Sequence, residues 1–185
     1  MVSGNEARAR LFVAVYPPDE TVRVLRCAVS RLALGAGRDT HAEQVHLTLL
    51  FIGDRAPCEL AAVAESVERS CAGFGAFWLT PRRLITLPER GRPRLVAAET
   101  DAPAPLLEIR RRLARRLARN SREAERFRPH LTLLRFQPGD RPDRLDEPVE
   151  CEPFVVDRVT LMRSVLKPIG AEHREVACVA LDRGD

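Results

Sequence analysis

The pentapeptide HLTLL occupies residues 46–50 and returns unchanged at residues 130–134. Two of the chain's four histidines begin the two copies. Side chains in a β-strand alternate between its two faces, so each copy predicts a strand with an imidazole and a hydroxyl on one face and leucines on the other. The paired side chains are His46 with Thr48 and His130 with Thr132.

Strands and helices are predicted on both sides of the two copies. RLFVAVY at residues 10–16 is typical of a buried strand, and VHLTLLFIG predicts a second strand that ends at Gly53. Three segments have apolar residues at helical steps of three and four, and the first two stop at Gly35 and Gly73. Their apolar residues are Val22, Leu25, Val29 and Leu32; Leu60, Val63, Val67 and Cys71; and Leu106, Ile109, Leu113 and Leu117.

The order of these elements is similar around the two pentapeptides. Two copies are too few, and too far apart, for a solenoid, so an internal two-lobe duplication fits better. The predicted class is α+β, with two sheets facing one another and helices on the outer faces. We expect one two-lobed domain over residues 1–185.

Composition limits the classes of protein that fit. Hydrophobic residues make up 45% of the 185 residues, which favours a folded globule. No apolar run approaches the length of a membrane span and the first ten residues lack a signal-peptide pattern, so we expect a soluble, cytoplasmic protein. The five cysteines form no C-x-x-C pair and are expected to be reduced thiols. The net charge of +4, carried almost entirely by arginine, permits a polyanionic partner.

Two imidazoles and two hydroxyls that converge on one volume suit phosphate-ester chemistry. One imidazole can remove a proton from the attacking oxygen while the other protonates the leaving oxygen. The hydroxyls can donate to the non-bridging phosphoryl oxygens. This scheme requires no metal and no other cofactor. A single histidine on a strand is usually just a satisfied polar residue, and zinc would need three or four ligands where each copy offers one.

The motifs and their surroundings resemble those of the 2H phosphoesterase superfamily. The nearest likeness is to its LigT-type branch, the RNA 2′,3′-cyclic phosphodiesterases, also called 2′-5′ RNA ligases. The stretches that carry it are RLFVAV, HLTLLFIG, RPRLVAAE, FRPHLTLLR and VTLMRSVLKPIGAEHREV. The resemblance covers nearly the whole chain and implies a bilobal, pseudo-symmetric fold of two antiparallel sheets, in which both motif strands line a central groove.

The resemblance also implies a reaction. It is the metal-independent hydrolysis of a terminal 2′,3′-cyclic phosphate of RNA to a 2′-phosphate, with reversal as ligation. His46 is then similar to the proton donor of the leaving 3′ oxygen, and His130 to the base that activates water. Thr48 and Thr132 match the hydroxyls that bind phosphate. The implied partner is an RNA end with a cyclic phosphate, and nothing in the chain demands more than a monomer.

Further candidates surround the motifs. Arg135 is a candidate phosphate contact, although strict alternation puts it on the face opposite His130. Phe51 could stack on a base, but core packing is the favoured interpretation. Arg92 and its neighbours Arg90 and Arg94 could contact the RNA strand. The arginines of the third helix are expected to form a solvated face; they are Arg110, Arg111, Arg112, Arg115, Arg116 and Arg119.

The chain departs from the family pattern near its end, and two other functions stay open. Arg174, preceded by His173, stands where relatives tend to carry a tyrosine. The same motifs would serve an enzyme for another phosphodiester, such as a 2′-5′ oligonucleotide or a cyclic ADP-ribose phosphate. A protein that binds RNA ends without catalysis is the third hypothesis, which the two intact histidines disfavour.

Overall fold

The structure is a computed structural model. It describes residues 9–32, 34, 37–118, 127–140, 142–167 and 170–182. Within these ranges, no helix has both the length and the apolar character needed to cross a membrane.

Three α-helices and eleven strands make up the described fold, as the α+β prediction requires. The helices are α1 (Asp19–Ser30), α2 (Leu60–Cys71) and α3 (Ala104–Leu117). The strands are β1 (Ala9–Val15), β2 (Gly37–Asp39), β3 (Leu47–Arg55), β4 (Phe77–Leu79), β5 (Pro81–Leu87), β6 (Leu95–Thr100), β7 (His130–Phe136), β8 (Asp146–Pro148), β9 (Phe154–Val156), β10 (Arg158–Lys167) and β11 (Gly170–Ala180).

The main sheet consists of two four-stranded halves joined at its centre. Its order is β11-β10-β1-β3 followed by β7-β6-β5-β8, and all of these pairings are antiparallel. The halves meet where β3 pairs with β7 at Leu47 and Leu131. Strand β2 adds to the other end of β7, and β4 pairs with β9 in a small separate sheet. The two motif strands are therefore the seam between the two halves.

The core lies between the helices and one face of the sheet. All three predicted helices are confirmed: Leu25, Val67 and Leu113 are completely buried, and each belongs to the main apolar cluster. Of the predicted stripe residues, Leu32 lies beyond the end of α1 and packs against the core only in part. Strand β1 contributes its odd-numbered residues to this core, whereas Phe12 and Ala14 pack on the opposite face with Met162 and Tyr16. The helices cover one face, and the other face carries the His and Thr side chains of the motifs.

Two predicted boundaries change. Strand β3 continues to Arg55 instead of ending at Gly53, because Gly53 has a φ of 79° and takes part in an irregular pairing with β1. Glycine tolerates this left-handed conformation, so the strand bends there without stopping. Helix α1 ends at Ser30, before the predicted stop at Gly35, which itself lies outside the described residues. Gly73 ends α2 as predicted, also with positive φ.

Candidate active site

The two motif copies lie side by side on neighbouring strands. Leu47 and Leu131 are directly opposed in an antiparallel pair, so continuing that register sets His46 beside Thr132 and Thr48 beside His130. The two histidines are then diagonal neighbours, a relation in which residues lie about 7–8 Å apart and their Cβ atoms somewhat closer. Two imidazoles at that separation can reach the same phosphate group from opposite sides.

A β-bulge in β7 brings Arg135 into the site. Thr132 pairs with Ala97 and Leu134 pairs with Val96, so Leu133 is an extra residue without a partner on β6. Two consecutive leucines thus face the core, and Arg135 returns to the face of His130. The prediction that alternation places Arg135 on the opposite face is wrong, because a bulge shifts the alternation by one residue.

The same bulge occurs at the same place in the first copy. Thr48 pairs with Ala14 and Leu50 pairs with Val13, which leaves Leu49 as the extra residue. Phe51 therefore shares the face of His46 and is 61% exposed. The core packing favoured for Phe51 is wrong. The sequence signal was the double leucine in each copy, which interrupts an otherwise strict alternation.

Both histidines are held in the same orientation and tautomer. Nδ1 of His46 lies 2.7 Å from the Gln44 carbonyl oxygen, and Nδ1 of His130 lies 2.7 Å from the Arg128 carbonyl oxygen. A carbonyl only accepts hydrogen bonds, so each Nδ1 carries the proton and donates it. In both rings this leaves Nε2 to exchange a proton with a substrate.

Aromatic rings surround His46. The ring centroids of Phe12, Tyr16 and His173 lie 5.0, 5.5 and 5.2 Å from the centroid of its imidazole. Burial lowers the pKa of His46 to about 4, against the hydrogen bond to Gln44, and the neighbouring charges of His173, Arg135 and His130 lower it further. The free protein therefore keeps His46 neutral at pH 7.

Charged groups surround His130 instead. Glu99 is its partner across the β6–β7 pair. Nη2 of Arg128 donates to Oε2 of Glu99 at 3.1 Å, and a second ion pair joins Arg128 to Glu89. Burial lowers the pKa of His130; the Arg128 carbonyl raises it, the guanidinium groups of Arg128 and Arg135 lower it, and the Glu99 carboxylate raises it.

Small residues lie beside both threonines. Ala14 is opposite Thr48 and Ala97 is opposite Thr132, and each alanine is completely buried on the face that the motifs share. A methyl group is the smallest side chain after glycine, so these positions leave space next to the hydroxyls. The arrangement can hold a tetrahedral anion between two hydroxyls and two imidazoles, with Arg135 as a nearby positive charge.

The remaining candidates lie elsewhere or have other partners. Arg90, Arg92 and Arg94 are exposed, and Arg92 donates to the carbonyl oxygen of Asp140 in the loop after β7. That bond links two loops and does not aim the guanidinium at the motif residues. Arg174 is exposed and forms an ion pair with Glu172 at 2.8 Å. The residue before it, His173, contacts the ring of His46.

The predicted solvated face of α3 is only partly correct. Arg111, Arg115 and Arg116 are exposed. Arg110 is buried over the ring of Phe127, and Arg112 lies over the ring of Phe74 and donates to the Ala72 carbonyl; the guanidinium carbons lie 4.4 and 4.6 Å from the two ring centroids. The prediction is wrong for these two arginines because their planar guanidinium groups pack on aromatic rings. Arg119 lies outside the described residues.

Four residues of the site were not singled out from the sequence as site residues. Phe12 and Tyr16 share the site face of β1, and the tyrosine at the end of an apolar strand was a signal for them. Glu99 interrupts the apolar run of β6, which was a second signal. His173 was recognised only as a departure near the end of the chain. Among the described residues, no three His, Cys, Asp or Glu side chains cluster closely enough to hold a metal ion.

Comparison with known proteins places the chain in a family. The family model of the 2′-5′ RNA ligase superfamily matches residues 16–168. An RNA 2′,3′-cyclic phosphodiesterase of Thermus thermophilus is 31% identical over 175 residues, which cover 87% of this chain and 84% of that protein. One of Geobacillus stearothermophilus is 28% identical over 169 residues; the match covers 85% of this chain but only 52% of that longer protein.

The fold agrees with a solved structure. The crystal structure of the Thermus thermophilus protein TT0787 superposes with a TM-score of 0.78 at 26% identity, over 95% of this chain and 100% of that one. The antiparallel α+β architecture predicted from the sequence is thereby confirmed. The family match covers well over half of the chain and includes both HLTLL copies, so the chain belongs to the 2′-5′ RNA ligase superfamily.

Proposed function

We propose that this protein hydrolyses a terminal 2′,3′-cyclic phosphate of RNA to a 2′-phosphate. The observation that carries the proposal is the pair of imidazoles, each with Nδ1 bound to a backbone carbonyl and Nε2 left for chemistry, on either side of the Leu47–Leu131 seam. The names of the Thermus and Geobacillus relatives support the same substrate.

The proposed reaction assigns one proton transfer to each histidine. Nε2 of His130 takes a proton from water while the water oxygen attacks phosphorus. The bond from phosphorus to the ribose 3′ oxygen breaks, and Nε2 of His46 gives that oxygen a proton. Thr48 and Thr132 donate hydrogen bonds to the non-bridging oxygens. The same step with the 5′ hydroxyl of a second RNA end in place of water forms a 2′-5′ phosphodiester, and this is the corresponding ligation.

Because the pKa of His46 is low in the free protein, the bound substrate has to raise it before His46 can act as an acid. Burial is its main cause, and a neutral imidazole cannot act as an acid. A cyclic phosphate carries a negative charge, and an anion beside an imidazole raises its pKa. In this proposal His46 therefore takes up a proton when the substrate binds, whereas His130 stays neutral as the base.

We further propose that the enzyme works as a monomer in the cytoplasm and without a metal ion. The two imidazoles supply both proton transfers, so the scheme needs no Lewis acid. All five cysteines are free thiols, as suits a reducing compartment.

The decisive experiment measures turnover of nucleoside 2′,3′-cyclic phosphates in excess chelator, with the products identified by phosphorus NMR. We expect the 2′-phosphate to form. We also expect His46→Ala and His130→Ala each to lower kcat by about 10²–10⁴-fold, the usual contribution of a general acid or base. The matched control is His41→Ala, because His41 is exposed and precedes the same motif without joining the site.

Three outcomes contradict the proposal. Turnover that survives both substitutions rules out the two-histidine mechanism. Binding of the nucleotide without product in a long incubation favours a non-catalytic protein that binds RNA ends. Faster cleavage of a 2′-5′ oligonucleotide than of any cyclic phosphate assigns the same site to another phosphodiester.

A further inference from the structure

A third histidine lies in direct contact with the first motif. The ring of His173, on β11, meets the imidazole of His46 at a centroid distance of 5.2 Å and an interplanar angle of 77°. Phe12 lies 4.9 Å from His173 and 5.0 Å from His46. The three rings form a nearly equilateral triangle in which each ring restrains the other two.

Tyr16 contacts His46 outside this triangle. Its ring centroid is 5.5 Å from that of the imidazole. The imidazole of His46 therefore has three ring neighbours, Phe12, Tyr16 and His173. The Gln44 carbonyl accepts the hydrogen bond of its Nδ1. None of the ring contacts among the described residues involves His130. The ring enclosure, defined as Phe12, Tyr16 and His173, is thus a property of the first motif alone.

The imidazole of His173 is not held by a hydrogen bond at its buried nitrogen. Its Nδ1 is inaccessible to solvent and has no hydrogen-bond partner within the described part of the chain. Buried polar groups that serve the fold are normally paired, because an unpaired buried group loses its hydrogen bonds to water without replacing them. The contacts that His173 does make are to the rings of Phe12 and His46, which indicates a role at the site.

We propose that His173 is a positioning residue for His46, whose ring completes the enclosure that fixes the imidazole plane and keeps water from it. Edge-to-face ring contacts orient their partners and are preferred over stacking of one face squarely on another. A proton donor must be held in line with the leaving oxygen, since small displacements slow the reaction strongly. The proposal rests on the proposed function only for the part that His46 plays in turnover.

The groups that face the enclosure show that His173 acts through packing. From β7, Arg135 and His130 face the imidazoles; from β10, the partner of His173 is the uncharged Ser164. From β1, Arg10 lies beyond Ser164 and pairs with Asp54 at 3.9 Å. On β11 itself, Glu175 acts on Tyr16, whose pKa is raised to about 12 mainly by burial.

Burial and one of these charges favour the neutral form of His173. Burial lowers the pKa of His173, and the charge of Arg135 lowers it further. Burial is the largest cause of the low pKa of His46, ahead of the charge of His173, so the main influence of the His173 ring there comes from excluding water. Replacement of His173 by another ring should preserve that influence, and removal of the ring should abolish it.

The test compares His173→Ala with His173→Phe by nitrogen NMR of the imidazoles across a pH series, together with kcat. In His173→Ala we expect the pKa of His46 to rise toward the ordinary value of about 6.5 and kcat to fall about 10- to 100-fold. In His173→Phe the pKa of His46 should stay low and kcat should remain within about threefold of the unsubstituted protein. Arg174→Ala, at the exposed neighbour on β11, is the matched control.

Two results overturn the proposal. One is an unchanged pKa of His46 in His173→Ala, even if the variant unfolds at a lower temperature, because that describes a purely structural residue. The other is a loss in His173→Phe as large as in His173→Ala, because the ring alone is then insufficient. The NMR readout needs no turnover, so failure of this inference is distinguishable from failure of the phosphodiesterase assignment.

Discussion

The two HLTLL copies share one backbone arrangement but lie in different surroundings. Each has a bulge at its second leucine, a histidine whose Nδ1 donates to the carbonyl two residues before it, and an alanine opposite its threonine. The neighbours differ. His46 contacts Tyr16, and Phe51 follows the bulge; His130 lies opposite Glu99, and Arg135 follows the bulge.

This difference shows how one repeated motif can supply two chemical roles. The pentapeptide sets the positions of Nε2 and of the hydroxyl, which are equivalent in the two halves. The adjacent strands set the proton affinity. Phe12 on β1, Tyr16 directly after it and His173 on β11 surround the first imidazole with rings and exclude water. Glu99 on β6 and Arg128 before β7 surround the second with charges of both signs. An acid and a base can therefore arise from identical local sequences.

Among the features that the two copies share, substitution of the threonines should have the largest effect on kcat. Thr48→Val and Thr132→Val keep the shape of the side chain but remove the hydroxyl that stabilises charge on the phosphate. We expect kcat to fall about 10²–10³-fold in each, as for loss of one preorganised donor. Because the two hydroxyls are equivalent in the fold, the two losses should agree within about tenfold. Steady-state kinetics with one cyclic nucleotide measures both.

Thr48→Ser and Thr132→Ser are the matched controls, since serine restores the donor. They should recover most of the lost rate. A valine variant with unchanged kcat would show that the hydroxyl does not contact the phosphate in that half, and the two copies would then differ in binding as well as in proton affinity.

Much of this site follows from the sequence because its signals are local. The spacing of Leu25, Val67 and Leu113 predicts helices, and the repeated HLTLL predicts two strands with a shared His and Thr face. Both depend only on periodicity along the chain. The sequence leaves open whether those strands lie side by side or face each other across a cleft, because strand pairing joins residues far apart in sequence.

The residues that distinguish the two copies depend on such distant pairings. Strict alternation fails at Arg135 and Phe51, since each follows a bulge that exists only relative to a neighbouring strand. His173 reaches His46 although β10 and β1 separate their strands in the sheet. No periodicity along one strand reveals a contact of that kind.

A smaller effect is expected at the equivalent positions after the two bulges. The charge of Arg135 lowers the pKa of His46, where burial is the main cause, and that of His130, where burial again dominates. In Arg135→Gln both pKa values should rise, so the acidic limb of the pH profile moves to higher pH. Loss of a charged donor near the phosphate should also raise KM about tenfold.

Phe51→Ala tests the same position in the other copy. It removes a ring without removing a charge, so the acidic limb should stay in place while KM for an oligonucleotide rises if the ring stacks on a base. Arg92→Gln is the control for a general loss of positive charge, because its guanidinium binds the Asp140 carbonyl. An equal shift of the pH profile in Arg92→Gln would mean that the effect of Arg135 is not local.

The smallest expected effect is a displacement of the pH profile by Glu99→Gln. Burial is the main reason for the low pKa of His130, and the Glu99 carboxylate acts against it. Removal of that carboxylate should lower the pKa of His130 further, and it also leaves the Arg128 guanidinium less neutralised. A base works only when it is unprotonated, so the acidic limb governed by His130 should move to lower pH.

Glu89→Gln is the matched control, since Glu89 pairs with the same arginine but is far more exposed and does not shift His130. The pH profile of Glu99→Gln shows whether His130 is the base or the acid. If it moves to lower pH, the group that must be neutral lies beside Glu99, as the assignment of His130 as base requires. If the basic limb moves instead, His130 is the acid, and the ring enclosure around His46 serves to keep the base neutral.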